Sequence, residues 1–240
     1  MKTNLRCILV TATVVLFGTL TMSGQQTEEM FEGKVSFNYK YLLYLPDGYE
    51  DDKEKEYPFV LFLHGAGERG SDLNKVKKHG PPKIIESKKD FPSIVVSPQC
   101  LEGEWWTPFK LNALIEDIVE KYQIDEDRVY LTGLSMGGYG TWDLASNYPH
   151  WFAAIAPICG GGDVRRIRTI KDIPVWAFHG MKDNVVPIER TLELVRALEA
   201  IEGNVNFTVY PEAGHDSWTE TYDNPEFWEW LFEQKRQDAE

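Results

Sequence analysis

One serine in this 240-residue chain stands in a setting suited to nucleophilic chemistry: Gly133-Leu134-Ser135-Met136-Gly137. The run before it, Arg128-Val129-Tyr130-Leu131-Thr132, reads as a strand, and Gly137-Gly138-Tyr139-Gly140-Thr141-Trp142 opens a helix behind it. A strand that becomes a helix within so few residues forces backbone segments together. The positions flanking the serine therefore take glycine, which has no Cβ to collide, and the hydroxyl is left exposed at the tip of the turn. A serine hydroxyl is a weak nucleophile until a neighbouring base takes its proton. Histidine suits that task, because its ordinary pKa lies near working pH and it can return the proton to a leaving group. A carboxylate behind the histidine fixes its tautomer and stabilises the imidazolium that forms.

A strand, a Gly-x-Ser-x-Gly turn and a helix resemble the nucleophile elbow of the α/β-hydrolases, in which the partners follow in the order Ser, Asp or Glu, His. That order sorts the five histidines. His64 and His79 precede the serine. His150, in Tyr148-Pro149-His150-Trp151, follows too soon for an acid to intervene. His179 closes the run Pro174-Val175-Trp176-Ala177-Phe178, and His215 lies in Gly214-His215-Asp216-Ser217-Trp218. The acid belongs just past the strand that follows the elbow unit, which runs out in His179-Gly180-Met181-Lys182-Asp183. Asp183 sits in that loop, and only His215 follows it. The expected catalytic set is Ser135, Asp183 and His215. Glu189, Glu212 and Asp216 are competing acids, none of them at the tip of that strand.

Charge that develops on a substrate oxygen needs donors. Phe59-Val60-Leu61-Phe62-Leu63 is a continuous apolar run, as a strand buried on both faces requires, and it ends in His64-Gly65-Ala66-Gly67. In α/β-hydrolases one oxyanion N–H comes from this loop and the other from the residue after the nucleophile. The backbone N–H groups of Ala66 and Met136 are the expected pair. His64, before the loop glycine, is expected to orient the turn rather than to take part in catalysis.

The chain resembles the α/β-hydrolase esterases grouped around polyhydroxybutyrate depolymerases, feruloyl esterases and dienelactone hydrolases, in particular the small bacterial subgroup often labelled predicted peptidases. The resemblance is carried by Leu61 to Gly70, His79-Gly80-Pro81-Pro82, Val95 to Cys100, Gly133 to Gly138, Pro157 to Gly162, His179-Gly180 to Asp183, and Gly214-His215-Asp216. It implies hydrolysis of carboxylic esters through an acyl-enzyme, with no cofactor. It leaves the natural acyl and alcohol groups open.

The rest of the sequence sets the frame. Lys2 and Arg6, the apolar stretch Cys7 to Leu20 and the small residues Thr21-Met22-Ser23-Gly24 read as a secretory signal peptide, residues 1–24. Residues 25–240 read as a single α/β-hydrolase domain in the periplasm or outside the cell. Without residues 1–24 the chain keeps 23 Lys+Arg against 38 Asp+Glu, a net charge of −15. So acidic a protein repels nucleic acid and anionic membrane, and neither is an expected partner. No C-x-x-C or H-E-x-x-H spacing marks a metal site. Cys100 and Cys159 fall at the ends of strands that are not neighbours in this fold, so two free buried thiols are expected rather than a disulfide.

Strands alternate with helices, which argues a mostly parallel central sheet covered by helices on both faces. Strands are expected at Tyr39–Leu45, Phe59–Leu63, Ser93–Ser97, Arg128–Thr132, Ala153–Pro157, Pro174–Phe178 and Val205–Tyr210. Helices are expected at Leu111–Tyr122, Gly137–Asn147, Ile188–Ile201 and Pro225–Gln234. Ile158 to Ile173 is too short for a large cap domain, so the site should be open. Trp105-Trp106 lie in a loop on the edge where active-site loops gather, and Trp218 is close to His215. All three are candidate substrate-binding aromatics for a sugar or aryl group, with packing beneath loops as the alternative. Asp163 and Glu68-Arg69 are candidate supporting residues. These features point to a serine esterase for small or polysaccharide-borne acyl or hydroxycinnamoyl esters. A peptidase using the same triad and a non-catalytic binding relative are the other classes weighed.

Overall fold

In β2, Tyr57–Leu63, every residue is buried. Phe59, Leu61 and Leu63 face one hydrophobic cluster, whereas Val60 and Phe62 face another. That alternation is what a strand with helices on both faces needs, since successive side chains point to opposite sides. The computed structural model describes residues 36–88 and 90–236; residues 1–24, which the sequence suggests are a signal peptide, lie outside them. All elements named below belong to the unit Phe37–Glu240.

The sheet has seven strands in the order β1-β3-β2-β4-β5-β6-β7. They are β1 Lys40–Tyr44, β2, β3 Ile94–Gln99, β4 Ile124–Leu134, β5 Ala154–Ile158, β6 Val175–Gly180 and β7 Val205–Tyr210. β1 pairs antiparallel with β3 and the other pairings are parallel. Helices α2 Pro108–Lys121, α3 Met136–Asn147 and α4 Glu189–Glu199 cover one face through Leu111, Ile115, Trp142, Leu144, Leu194 and Leu198. The opposite face is covered by α5 Trp218–Asp223 and α6 Pro225–Glu233 through Tyr222, Phe227 and Leu231, with Ile84 and Ile85 of α1 Gly80–Ser87 packed against it. This is the expected α/β-hydrolase architecture. Among the described residues, a 3-10 segment at Val164–Ile170 is the element between β5 and β6, so no large cap stands there.

The local reasons are legible in the sequence. α6 begins where Asn224 Oδ1 accepts from Glu226 N–H and Pro225 takes the first turn, where its missing N–H costs nothing. α2 starts three residues before the expected Leu111, because Pro108 serves as its first residue. β4 starts at Ile124 rather than Arg128. Its register jumps from Tyr57↔Ile124 to Phe59↔Val129, so the acidic stretch Asp125-Glu126-Asp127 bulges out of the ladder. Cys100 and Cys159 are free and buried, as expected.

Candidate active site

The elbow explains the position of Ser135. This residue joins the end of β4 to the start of α3 with φ 54° and ψ −115°, a backbone that non-glycine residues rarely adopt. A Cβ on Gly133 would come 2.5 Å from Gly137 O, and one on Gly137 would run into Leu63 O. Both glycines are therefore fixed by backbone approach. Ser135 N–H donates to Ile158 O at 2.9 Å, tying the strained turn to the end of β5.

Three loops bring the expected partners together. His215 Nε2 lies 2.9 Å from Ser135 Oγ, and His215 Nδ1 lies 2.8 Å from Asp183 Oδ2. Two acceptors cannot share a contact without a proton, so Nδ1 carries the hydrogen that faces the carboxylate and Nε2 is free to accept from serine. The Asp183 side chain is fully buried. Burial alone would raise its carboxyl, but the His215 imidazole and the N–H groups of Val186 and Val185 outweigh that and hold it below its ordinary value. The competing acids take other roles. Asp216 caps α5, accepting from Thr219 N–H and its hydroxyl, and Glu212 pairs with Lys182. Glu189 is the exposed first residue of α4.

A second histidine stands on the acid. His179 Nε2 donates to Val186 O at 2.9 Å and lies 3.3 Å from Asp183 Oδ2. Its Nδ1 lies 2.8 Å from the Thr191 hydroxyl oxygen, which is also 2.7 Å from Gly160 O. Burial pushes the His179 imidazole below its ordinary pKa, against the pull of Asp183. The sequence order set His179 aside as a catalytic base and gave no sign of this supporting contact. Its placement at the strand end before the acid loop was the available signal.

The loop expected to supply an oxyanion donor is braced by His64. Its Nδ1–H donates to Gly65 O at 2.6 Å, and its Nε2 accepts from Cys100 N–H at 3.0 Å. Burial lowers its pKa to about 4, so it stays neutral at working pH. Ala66 is exposed at the start of a 3-10 turn, Ala66–Glu68, and Met136 is the first residue of α3.

The three tryptophans separate. Trp105 is 58% exposed and sets its edge against Tyr139, four residues beyond the serine. Trp106 is 6% exposed, donates its indole N–H to His64 O and packs on the His64 ring. Trp106 therefore belongs beneath the oxyanion loop, where no ring face is left for a ligand. This corrects the expectation of a substrate contact. Trp218 stands perpendicular to the His215 ring at 5.2 Å and donates to His79 Nδ1 at 3.3 Å. The other face of that contact was not foreseen: His79 Nε2 points to Glu68, 3.9 Å away. Asp163 instead caps the 3-10 segment and pairs with Arg165, and Arg69 braces the loops through Ala66 O and Glu104 O.

Residues 103–229 match the sequence profile of the Dienelactone hydrolase family, more than half of the chain. The chain belongs to the dienelactone hydrolase family. The chain is 28% identical over 160 residues to a probable feruloyl esterase C of Aspergillus terreus, covering 65% of this chain and 58% of that protein. A poly(3-hydroxyalkanoate) depolymerase C of Paucimonas lemoignei is 41% identical over 121 residues, covering 43% of this chain and 28% of the relative. Among solved structures, a thermostable esterase superposes with a TM-score of 0.72 at 38% identity, over 82% of this chain and 59% of that one. A feruloyl esterase module from Clostridium thermocellum complexed with sinapinate shares the fold, with a TM-score of 0.62 at 19% identity over 83% and 85% of the two chains. This chain thus spans somewhat over half the length of the esterases first named in each comparison.

Proposed function

We propose that this chain is a serine carboxylic ester hydrolase that works through an acyl-enzyme. The observation that carries the reading is the unbroken relay from Ser135 Oγ through His215 to Asp183, set on a strained turn at the tip of the sheet. Ser135 Oγ attacks the ester carbonyl while His215 Nε2 takes its proton. The imidazolium is stabilised by Asp183, whose carboxyl stays ionised, and returns the proton to the departing alcohol. Water then repeats the sequence on the acyl-enzyme. The N–H of Met136 has no acceptor within its own helix, because first-turn N–H groups never do, and the N–H of Ala66 opens the facing turn. Together they take the charge on the carbonyl oxygen, a role in which each donor contributes roughly 10²–10³ in rate.

The substrates we propose are acyl or hydroxycinnamoyl esters, small or polysaccharide-borne. Two features support this. Large exposed apolar side chains lie on the loops that follow two strands of the sheet, Leu101 and Trp105 after β3 and Met181 and Val185 after β6. Relatives carry the names feruloyl esterase and acetylxylan esterase/xylanase. Residues 1–24 act as a signal peptide in this reading, and the enzyme works in the periplasm or outside the cell. Among the described residues no helix is long and apolar enough to cross a membrane. Parallel assays on p-nitrophenyl acetate, methyl ferulate and a peptide anilide test the proposal. Turnover of the two esters is expected. Cleavage of the anilide alone would overturn the ester reading in favour of a peptidase.

A further inference from the structure

Beside the catalytic pair the fold assembles ligands that ester hydrolysis does not use. Cys159 follows β5 with φ 40°, a left-handed backbone unusual outside glycine. Its N–H nevertheless donates to Phe178 O at 2.8 Å, so strand pairing holds the residue in place. The Cys159 thiol, a carboxylate oxygen of Asp183 and an imidazole nitrogen of His215 all lie within 4.8 Å of one another. The thiol and the Asp183 side chain are fully buried, whereas the His215 side chain keeps 20% of its surface in solvent and offers the way in. Ser217 Oγ lies against the thiol and is buried without an oxygen or nitrogen partner among the described residues.

Ligand atoms about 2.0–2.3 Å from one metal ion are at most about 4.6 Å apart. In a tetrahedral site the ligand atoms lie roughly 3.3–3.8 Å apart, so the spread of up to 4.8 Å must close by about 1 Å and the 2.8 Å Nδ1–Oδ2 contact must open slightly to admit the ion. Thiolate, imidazole and carboxylate together form a donor set for Zn²⁺ and softer divalent ions, with a fourth position left for water. We propose that Cys159 Sγ, Asp183 and His215 Nδ1 form an inhibitory site for a thiophilic divalent cation such as Zn²⁺ or Cd²⁺. Binding stands on this geometry alone, whereas the loss of activity rests on His215 being the base.

The proton balance gives the inhibition its mechanism. The metal takes a lone pair from Sγ, one from a carboxylate oxygen and one from Nδ1, with no change of oxidation state. The thiol proton leaves to solvent. The proton on Nδ1 is replaced by one on Nε2, so the imidazole stays neutral but can no longer accept from Ser135. One proton is released per ion bound, and affinity should rise about tenfold per pH unit while the thiol is protonated. The carboxylates of Asp183 and Asp216 also face the thiol. His215 and the phenols of Tyr139 and Tyr222 are the other titratable groups around the thiol.

The test titrates the whole protein with Cd²⁺ and follows the thiolate-to-metal charge-transfer band in the ultraviolet, with ester hydrolysis measured in parallel. We expect one Cd²⁺ per chain, competition by Zn²⁺, loss of activity that tracks the band, and the tenfold dependence on pH. Cys159→Ser should abolish the band, raise the inhibitory concentration by roughly a hundredfold or more, and keep metal-free activity. Cys100→Ser should change neither. Ser135→Ala should keep the band, so a failure of the nucleophile assignment would show as residual hydrolysis in that variant and leave the metal result readable. No band in the unmodified protein, a flat pH dependence, or unchanged sensitivity in Cys159→Ser would overturn the proposal. The first two need no variant and stand even if Cys159→Ser fails to fold.

Discussion

In the proposed reaction His215 works between two groups that differ in kind, a hydroxyl it must deprotonate and a buried carboxylate that never needs to change charge. Asp183 accepts from the Val185 and Val186 N–H groups as well as from His215, so removing its charge should cost the imidazole its tautomer and leave the loop intact. Asp183→Asn is expected to lower kcat by roughly 10⁴ with little change in Tm, while Asp216→Asn, which removes a charge but keeps an acceptor for Thr219 N–H, should leave kcat nearly unchanged. A reversed ranking in kinetics on purified variants would misplace the acid. The tryptophans divide at the same scale. An aromatic face against an aryl group contributes about 0.5–1.5 kcal/mol, so Trp105→Ala should weaken kcat/KM for methyl ferulate about threefold to tenfold more than for an acetyl ester. Trp106→Ala removes a buried ring and its bond to His64 O, and should lower stability by about 3–5 kcal/mol with no selectivity between esters. The residue types and their order were enough to single out Ser135, Asp183 and His215. They were silent on the approach of Cys159 to Asp183 and His215 and on the Trp218–His79 bond, because those contacts join residues from distant segments with no fixed spacing.

At the scale of elements, the turn between β4 and α3 is held by backbone rather than side chains. Gly137→Ala places a methyl group on Leu63 O and has no rotamer with which to escape, whereas a Cβ on Gly67 meets nothing within 4 Å. Gly137→Ala should therefore abolish activity and lower stability by several kcal/mol, and Gly67→Ala should fold normally, as thermal melts of the two variants would show. The reading of β2 and α6 succeeded because their signals are local: an unbroken apolar run in one and Asn-Pro at the start of the other. α1 and α5 were not foreseen. One opens with Gly80-Pro81-Pro82 and the other spans only Trp218–Asp223, so neither displays enough turns for a helical period to emerge. The early start of β4 was hidden because Asp125-Glu126-Asp127 has the composition of a loop and enters the sheet through a bulge.

For the whole molecule, the buried histidines tie stability to pH. The His64 pKa in the folded chain is about 4, below the ordinary value of roughly 6.5 expected on unfolding. The unfolded chain then binds the extra proton between those limits, so the contribution is fully present above about pH 6.5 and is lost as pH falls toward 4. His179, also lowered by burial, acts in the same sense. Denaturant midpoints should fall between pH 7 and pH 4.5, with a shallower fall in His64→Gln; a midpoint independent of pH would contradict the burial of a neutral imidazole. The fold class was legible from alternating strands and helices, and family membership followed from motifs spread along the chain. The natural ester was not, because an open site leaves acyl and alcohol recognition to loops whose side chains carry no pattern. The central claim is that hydrolysis passes through an acyl-enzyme on Ser135. Intact-mass analysis after treatment with a fluorophosphonate, followed by peptide mapping, tests it most directly. The account predicts a single adduct on Ser135 and neither adduct nor ester hydrolysis in a folded Ser135→Ala variant. Ester hydrolysis that survives in Ser135→Ala, or an adduct on another residue, would contradict it.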